Sequence, residues 1–303
     1  GVKIDKKVAA RLASSDYVDV QISIDGATAE VNDAVRGPGS FDMACRALEN
    51  LKEAGFRDAK ISVVVTRHNV SQLDDFKALA DKYAATLRIT RLRPSGRGAD
   101  VWDDLHPTAG QQRELYNWLV ANGEGVLTGD SFFHLSAFGD ALPGLNLCGA
   151  GRVVCLIDPI GDVYACPFAI HENFLAGNIV RDAKVASETS AGMGGFQSVW
   201  QTSELFQDLR SPQTSGACTK CAHFDACRGG CMAAKFFTGL PMDGPDPECV
   251  IGNGEMALVA AGEIPKSSVD HSRSGQRKTP RKSVPLTLMM RPPTKICDEN
   301  PLA

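Results

Sequence analysis

Two rhythms of apolar and polar residues organise the first hundred positions. From Val18 to Ile24 apolar and polar residues alternate with period two, and several are β-branched, which predicts a strand. The spacing then changes to that of a helix over residues 41–54, for which Ser40 is the expected cap and Gly55 the expected end.

The same unit recurs further along the chain. Residues 60–65 predict a second strand, Ser71 is the expected cap of a second helix that runs to about Tyr83, and residues 87–92 predict a third strand. This alternation is typical of parallel βα units. Since such folds place functional groups where the strands end, we expect a site at the carboxyl edge of the sheet.

Polar residues and glycines follow the first predicted strand, at Ser23-Ile24-Asp25-Gly26 and Arg36-Gly37. Glycine permits close approach of a ligand to the backbone, and the fork of Arg36 suits a carboxylate. The spacing leaves two interpretations open. One is a small-molecule site, and the other is a pair of ordinary turns with Arg36 in a surface ion pair.

The second half of the chain predicts shorter elements. Thr108 is the expected cap of a helix that reaches Asn122, and a helix with an apolar face is expected from 197 to 210. Residues 152–157 and 163–165 flank a turn and predict a β-hairpin. The hairpin would bring Cys155 and Cys166 near each other.

Composition narrows the class of protein. The chain has 303 residues, 43% hydrophobic and 22% charged, with a net charge of -4, which is ordinary for a globular protein of two domains. It shows no signal peptide and no apolar run of the roughly 20 residues that a membrane helix needs, so a cytoplasmic location and no membrane partner are expected. Basic residues concentrate in the Pro- and Ser-rich segment 263–303, a predicted disordered tail, and nothing else suggests nucleic-acid binding.

Ten cysteines are the most informative feature of the composition, and eight of them lie between residues 148 and 249. Four form the dense run Cys218-x2-Cys221-x5-Cys227-x3-Cys231. Disulfides conflict with a reducing compartment. Two zinc sites and two iron–sulfur clusters both use soft thiolates, so the chemistry of the ligands does not choose between them.

The order of seven of these cysteines resembles the signature of SPASM domains. Cys148 is followed by Gly161 and Cys166 in the spacing x12-Gly-x4-Cys, and the dense run and Cys249 come after. SPASM domains extend radical S-adenosylmethionine (SAM) enzymes that modify peptides, and they hold auxiliary [4Fe–4S] clusters. The resemblance therefore implies iron–sulfur clusters rather than zinc.

The resemblance also implies a ligand set for each of two clusters. The first cluster would take Cys148, Cys155, Cys166 and Cys231, although Cys155 lies outside the seven-cysteine signature. The second cluster would take Cys218, Cys221, Cys227 and Cys249. Gly229 and Gly230 suit the close backbone approach that N–H···S bonds to a cluster require. Cys45, Cys297 and His223 are expected to be bystanders.

The segment Val20 to Gly26, with Val35-Arg36-Gly37, resembles the fourth βα unit of a radical SAM barrel. This implies that Ser23, Asp25 and Arg36 bind SAM and that the loop Arg93–Gly98 lies beside its adenine. The implied fold is α/β. The C-terminal half of a partial (β/α)6 barrel (1–107), a connecting helical segment (108–147) and a SPASM iron–sulfur domain (148–262) precede the tail (263–303).

Within these enzymes the chain resembles the mycofactocin radical SAM maturases. The resemblance lies in Tyr164–Ala169, Gly177–Ile179, Met290–Pro293 and Cys297–Glu299. Sulfatase maturases of the same superfamily carry a catalytic Asp after the GxxxxC cysteine. This chain has Pro167 there, which cannot transfer a proton, so sulfatase maturation is not expected.

The resemblance implies a reaction and a set of partners. The reaction is oxidative decarboxylation of the C-terminal Tyr of a small precursor peptide, followed by a Val-Tyr carbon–carbon crosslink. The implied partners are a precursor peptide ending in Val-Tyr, a peptide-carrier (chaperone) protein and an external electron donor, with SAM as cofactor.

One departure from the family pattern is serious. Radical SAM enzymes hold their SAM-cleaving cluster on a CxxxCxxC loop, and the 303 residues contain no such spacing; the one early thiol, Cys45, falls in a predicted helix. We therefore expect an N-terminally truncated copy that is inactive alone. The alternative is a non-catalytic iron–sulfur or zinc-binding module for electron transfer.

Overall fold

A computed structural model describes residues 1–128, 132–139, 148–181 and 195–262. The predicted tail (263–303) and three short stretches, 129–131, 140–147 and 182–194, lie outside the described residues. No helix in the described ranges is both long enough and apolar enough to cross a membrane.

The first half of the chain forms a parallel sheet of four strands in the order β1-β2-β3-β4. The predicted strands and the βα alternation are confirmed, with bounds that differ by one or two residues. The fourth strand is too short to produce a periodic pattern, so the sequence did not predict it. The strands are Val20–Ser23 (β1), Ala59–Val65 (β2), Thr86–Arg91 (β3) and Val126–Leu127 (β4).

Helices pack on this sheet through the apolar positions that predicted them. Leu48 and Leu51 of α3 and Phe76 of α4 are fully buried in one core with the strand residues Ile61 and Ile89. Burial of side chains of this size stabilises the fold by about 1.5–3 kcal/mol each. The helices are Lys6–Ala13 (α1), Ala29–Arg36 (α2), Ser40–Glu53 (α3), Leu73–Lys82 (α4), Trp102–Leu105 (α5) and Ala109–Asn122 (α6).

The start of α3 differs from its prediction. Ser40 is the first helical residue, and the backbone cap is Gly39. The carboxylate of Asp33 accepts the N–H groups of Gly39 (2.6 Å) and Phe41 (2.9 Å), and the hydroxyl of Ser40 donates to the same carboxylate. Since the capping group comes from α2, the local pattern around Ser40 could not reveal it.

The start of α4 also differs, because Ser71 lies inside a short 3-10 segment, Val70–Gln72, and the helix begins at Leu73 without a side-chain cap. Asn69 organises this turn instead: its amide donates to the carbonyls of Asp25 and Val64 at 2.9 Å. At α6, by contrast, the predicted cap is confirmed, because Thr108 forms a reciprocal capping box with Gln111.

The second half contains a small antiparallel sheet in the order β5-β6-β7. The predicted hairpin is confirmed with shorter strands. The helix predicted over 197–210 is two helices that meet at Ser203, whose extended backbone separates them. The elements are Leu156–Ile157 (β5), Asp162–Tyr164 (β6), Leu175–Asn178 (β7), Gly195–Thr202 (α7), Glu204–Arg210 (α8), Phe224–Cys227 (α9), Met232–Phe237 (α10) and Asn253–Gly262 (α11).

Candidate metal centres and the sheet edge

Four of the eight candidate thiols line a single cavity. They belong to Cys218, Cys221, Cys227 and Cys249, and they form the second of the two predicted ligand sets. Burial, followed by the nearby thiols of Cys227 and Cys249, raises the pKa of the Cys218 thiol to about 11. The structure therefore brings residues 31 positions apart in the sequence to one space, with the softness and number of donors that an iron–sulfur cube needs.

Backbone N–H groups point at these sulfurs. Gly229 donates to Cys227, and Ile251, Asn253 and Gly254 donate to Cys249. Burial raises the pKa of both thiols, and the N–H groups oppose it because they stabilise the thiolate. Such donors are the usual surroundings of cluster cysteines, so these N–H groups fit the iron–sulfur cluster that the resemblance implies.

Gly230 has a different role from the one predicted. It has a φ of +78°, and a Cβ there would lie 2.3 Å from a carboxylate oxygen of Asp246. The glycine is required because Asp246 fills the space. The N–H of Gly230 donates to the carbonyl of Cys227 at 2.8 Å.

Three members of the first predicted ligand set, Cys148, Cys166 and Cys231, also lie close together. Burial raises the pKa of Cys148 to about 11 and that of Cys166 to about 12, and in both cases the Cys231 thiol is the next cause. Cys155 differs, because burial is the single cause of its raised pKa. It precedes Leu156, whose strand partner Tyr164 lies two residues before Cys166. The electrostatic interactions of the described residues thus place Cys148, Cys166 and Cys231 close together, and they do not include Cys155.

The geometry differs from that of a mononuclear site. Within the described ranges, no three His, Cys, Asp or Glu side chains are close enough to bind one metal ion. A cube of four irons holds its cysteines farther apart than a single ion does. The wider grouping of four thiols around one cavity is therefore compatible with a cluster.

The residues expected to be bystanders lie as follows. Cys45 packs on the first core, where its thiol contacts Tyr83, and Cys297 lies outside the described residues. His223 is the backbone cap of α9. His134, which no sequence pattern singled out, lines the cavity of the second thiol set, and its Nε2 lies 3.2 Å from Oε1 of Gln112.

A buried ion network joins the sheet to the cysteine region. Arg91, at the end of β3, binds both carboxylate oxygens of Asp246 and one of Glu248, and all three side chains are at most 2% exposed. Although burial alone would raise the pKa of Asp246, Arg91 holds that pKa well below its usual range. Burial raises the pKa of Glu248 to about 7 despite the same arginine. Glu248 is adjacent to the ligand candidate Cys249.

Asp246 and Lys235 extend this network to both thiol sets. The carboxylate of Asp246 accepts the N–H of Cys231 at 2.8 Å. Lys235, 4% exposed, donates to the carbonyls of Met242 and Gly244. Burial lowers the pKa of Lys235, while Asp246 and thiols of both sets oppose that shift. A buried cation therefore stands within electrostatic reach of each predicted cluster.

The candidate SAM residues lie together at the carboxyl end of β1. Arg36 forms an ion pair of 2.6 Å with Asp25, whose other carboxylate oxygen accepts the N–H of Val64 at 2.9 Å. The Asp25 side chain is buried and Arg36 is one-third exposed, while Ser23 is exposed. The pairing holds the guanidinium at the sheet edge with part of its fork open to solvent. One of the two interpretations of the sequence was a surface ion pair. Arg36 does form an ion pair, but its partner Asp25 is buried and lies at the predicted site.

The loop after β3 borders a cleft at the same carboxyl edge of the sheet. Residues Arg93 to Gly98 form one wall, and Pro167 and Phe168, which directly follow the ligand candidate Cys166, form another. The structure therefore places the loop predicted to lie beside adenine next to the first thiol set.

Comparisons with known proteins identify the class. The sequence model of the Radical SAM superfamily matches residues 1–80. The solved structure "Native anSMEcpe with bound AdoMet" matches 87% of this chain and 73% of its own, with a TM-score of 0.54 at 17% identity. The peptide-bound form "Native anSMEcpe with bound AdoMet and Cp18Cys peptide" gives the same TM-score at 18% identity, over 87% of this chain and 74% of its own. The chain has the radical SAM fold, with a parallel sheet and α/β character.

Sequence relatives narrow the class to a family. "Mycofactocin maturase MftC" of Mycolicibacterium smegmatis is 70% identical over 304 residues, which cover all of this chain and 74% of the relative. The protein of that name from Mycobacterium tuberculosis H37Rv is 66% identical with the same coverage. "AdoMet-dependent heme synthase" of Oleidesulfovibrio alaskensis is 30% identical over 82% of this chain and 65% of the relative. The chain belongs to the mycofactocin maturases, a family of radical SAM enzymes.

Proposed function

We propose that this chain carries the SAM-carboxylate site and two auxiliary [4Fe–4S] clusters of a mycofactocin-maturing enzyme. Residues 1–107 then contribute the C-terminal half of a partial (β/α)6 barrel, 108–147 connect it, 148–262 form the SPASM domain and 263–303 a basic tail. The observation that carries the proposal is the cavity lined by Cys218, Cys221, Cys227 and Cys249.

The proposed substrate is a small precursor peptide that ends in Val-Tyr, presented by a peptide-carrier protein. The overall reaction removes the carboxylate of the C-terminal Tyr as CO2 in a two-electron oxidation, and a further step joins the product to Val by a carbon–carbon bond. When bound, SAM and the clusters supply the radical chemistry and accept or deliver electrons, with an external electron donor. A cytoplasmic location suits oxygen-sensitive thiolate centres.

Residues at the sheet edge would position SAM. Arg36 offers its exposed donors to the methionyl carboxylate, while Asp25 keeps the guanidinium in place through the 2.6 Å ion pair. The exposed hydroxyl of Ser23 would take the ribose. Because Asp25 is itself fixed by the N–H of Val64, the position of Arg36 is set before SAM arrives.

Residues around the thiols would hold the charge of the clusters. The N–H groups of Gly229, Ile251, Asn253 and Gly254 face the sulfurs of the second set, and Lys235 is within electrostatic reach of thiols of both sets. Cys148, Cys166 and Cys231 would bind the first cluster, with Cys155 as the fourth ligand of our proposal. Cluster binding replaces thiol protons by iron, so uptake releases protons.

The 303 residues hold no CxxxCxxC spacing, so we propose that by themselves they do not cleave SAM. The decisive test of the metal centres is optical and elemental. Protein purified without oxygen should absorb broadly near 400 nm and contain about eight irons per chain. Colourless protein with about two zinc ions per chain would support the alternative, a non-catalytic zinc-binding module.

The reaction is tested on a family enzyme that contains both this chain and the CxxxCxxC loop. Incubated with SAM, reductant and a Val-Tyr-ending peptide, it should release CO2 and change the peptide mass. An enzyme that binds SAM, holds all its iron and leaves the peptide unchanged would contradict the proposed substrate while sparing the clusters.

A further inference from the structure

A cavity of about 380 Å³ lies beside the first thiol set, in the second half of the chain. Cys148 is the one member of that set among its described lining residues, so the cavity lies beside the predicted cluster rather than around it. Much of the remaining wall is apolar and consists of Phe174, Leu205, Leu209, Met232, Phe236 and Met242. We call this space the apolar cavity. Its size and lining suit a large apolar side chain.

A second cavity, of about 330 Å³, adjoins the first and is named the arginine mouth here. The arginine mouth is lined by Arg152, Arg210, Ser211, Pro212, Gln213 and Arg228. Four of these residues also line the apolar cavity, so the two spaces adjoin. Asp208 and Asp243 line the apolar cavity, but no Asp or Glu is among the described residues that line the arginine mouth. Positive charge therefore stands directly beside an apolar space.

Backbone carbonyls hold two of the three arginines in place. Arg152 donates from Nη2 to the carbonyl of Arg210 at 2.7 Å. Arg210 in turn donates from Nε to the carbonyl of Gly151 at 2.8 Å and from Nη2 to that of Trp200 at 2.6 Å. A guanidinium has more N–H donors than these bonds use. Both arginines are thus positioned before a ligand arrives and keep donors to offer it.

These two arginines lack a counter-charge in the part of the chain that the structure describes, where neither forms an ion pair with a carboxylate. Arg228 reaches Asp225 at 3.2 Å, but the Asp225 side chain is 91% exposed, so this pair is weak. Like charges held close together repel each other, and a bound anion offsets that repulsion. The arginine mouth therefore fits a carboxylate, which a guanidinium matches in two hydrogen bonds.

One helix, α10, borders both the apolar cavity and the cleft at the sheet edge. Phe236 lines the apolar cavity, and its neighbour Phe237 lines the cleft. A helix with its side chains is about 10 Å across, and an extended chain covers about 3.3 Å per residue. A peptide whose last residue lies at the sheet edge therefore needs at least about three further residues to reach the apolar cavity.

We propose that the arginine mouth binds an acidic side chain of the precursor peptide, upstream of its Val-Tyr end, while the neighbouring apolar side chain of the peptide enters the apolar cavity. The inference rests on the proposed function, because it takes this peptide as the substrate. Arg152 and Arg210 bind the carboxylate. The contact lies away from the two residues that react, so it survives the loss of the C-terminal carboxylate and keeps the intermediate bound for the second step.

Fluorescence anisotropy on anaerobic, cluster-loaded protein tests the proposal with labelled synthetic peptides. Each peptide ends in Val-Tyr and is otherwise built from Gly and Ser, except for an Asp-Leu pair whose Asp lies about six residues before the Tyr. A second peptide has Asn in place of this Asp. We expect the Asp peptide to bind about tenfold more tightly than the Asn peptide, as one charge-assisted contact would give.

Arg152→Gln should reduce the Asp-to-Asn ratio to about one while changing the binding of the Asn peptide less than twofold. Arg57→Gln is the matched control, because Arg57 is an exposed arginine near the amino end of β2 and lines neither cavity. It should leave the ratio unchanged. A charge reversal separates direct contact from a change of structure: Arg152→Glu should bind a third peptide, with Lys in place of the Asp, more tightly than the Asp peptide.

Equal binding of the Asp and Asn peptides to the unaltered protein, or a ratio that Arg152→Gln leaves unchanged, would overturn the inference. The proposed function would survive either result if the family enzyme still changed the mass of a Val-Tyr-ending peptide. Failure of every peptide to bind, together with an unchanged peptide mass, would count against the proposed substrate itself. Tighter binding of inorganic phosphate than of the Asp peptide would assign the arginine mouth to a free anion and also overturn the inference.

Discussion

Replacing Arg91 by Met tests whether the buried ion network fastens the sheet to the cysteine region. The substitution keeps much of the apolar stem and removes the guanidinium that binds Asp246 and Glu248. Both carboxylates are at most 2% exposed, so water cannot replace the arginine. Loss of one partner from such a buried group costs about 3–5 kcal/mol.

Two features place the expected cost near the lower limit. Asp246 retains the N–H groups of Cys231 and Glu248, at 2.8 and 2.9 Å. The pKa of Glu248 is already raised by burial to about 7, so this carboxyl can take up a proton instead of remaining charged. A carboxyl with a folded-state pKa above its unfolded value stabilises the fold below the unfolded pKa and loses that contribution as pH rises. The cost of Arg91→Met should therefore be about 3 kcal/mol at pH 8 and smaller at pH 6.

Urea denaturation, followed by tryptophan fluorescence on anaerobic protein, measures this cost. The midpoint should fall at an unchanged slope, which would show that stability has changed and the exposed surface has not. Arg88→Gln is the matched control, because Arg88 lies on the same strand and makes an exposed bond to Gln21; it should cost less than about 0.5 kcal/mol.

A second variant separates charge from packing. Arg91→Met combined with Asp246→Asn and Glu248→Gln removes the whole set of charges and should recover at least half of the lost stability, because no buried charge is left alone. A cost below about 1 kcal/mol for Arg91→Met, or a triple variant no more stable than the single one, would refute the argument.

Three further predictions follow from the cysteine region. Cys227→Ala should reduce bound iron from about eight to about four per chain, measured by iron assay, whereas Cys45→Ala should leave it unchanged; an equal loss in both would contradict the ligand assignment. Gly230→Ala should cost about 2 kcal/mol more in urea denaturation than Gly239→Ala, because both glycines have a φ of +78° but only the first would meet Asp246; equal costs would remove that explanation. Lys235→Met should lower the reduction potentials of the clusters by tens of mV in an EPR-monitored titration, since a nearby buried cation favours the reduced state; unchanged potentials would place Lys235 outside their influence.

Three strands and the helices α3, α4 and α6 were predictable because their signals are local, whereas α1, α2 and α5 were not predicted. Strands β2 and β3 are buried and rich in β-branched residues, and the cap at Thr108 has its partner three residues away. The cap of α3 was not predictable, because Asp33 reaches it from another helix. The break at Ser203 was hidden as well, since the apolar face continues across both helices.

The candidate site shows the same division. The resemblance to SPASM domains implied the set formed by Cys218, Cys221, Cys227 and Cys249, and the structure brings these four residues to one cavity. Nothing near Arg91 indicated that it would pair with Asp246, 155 residues away. The burial of Lys235 could not be predicted either, since one lysine on a short helix ordinarily faces water.

The position of Lys235 has a consequence for assembly of the protein. Burial of the Lys235 ammonium group carries a desolvation penalty, which its two carbonyl acceptors and the Asp246 carboxylate offset only in part. Anionic clusters bound by the two thiol sets would offset the remainder, so we expect the cluster-loaded protein to resist unfolding better than the empty one. Chains that have not received their clusters would then unfold more easily, and proteases would degrade them faster than the cluster-loaded protein.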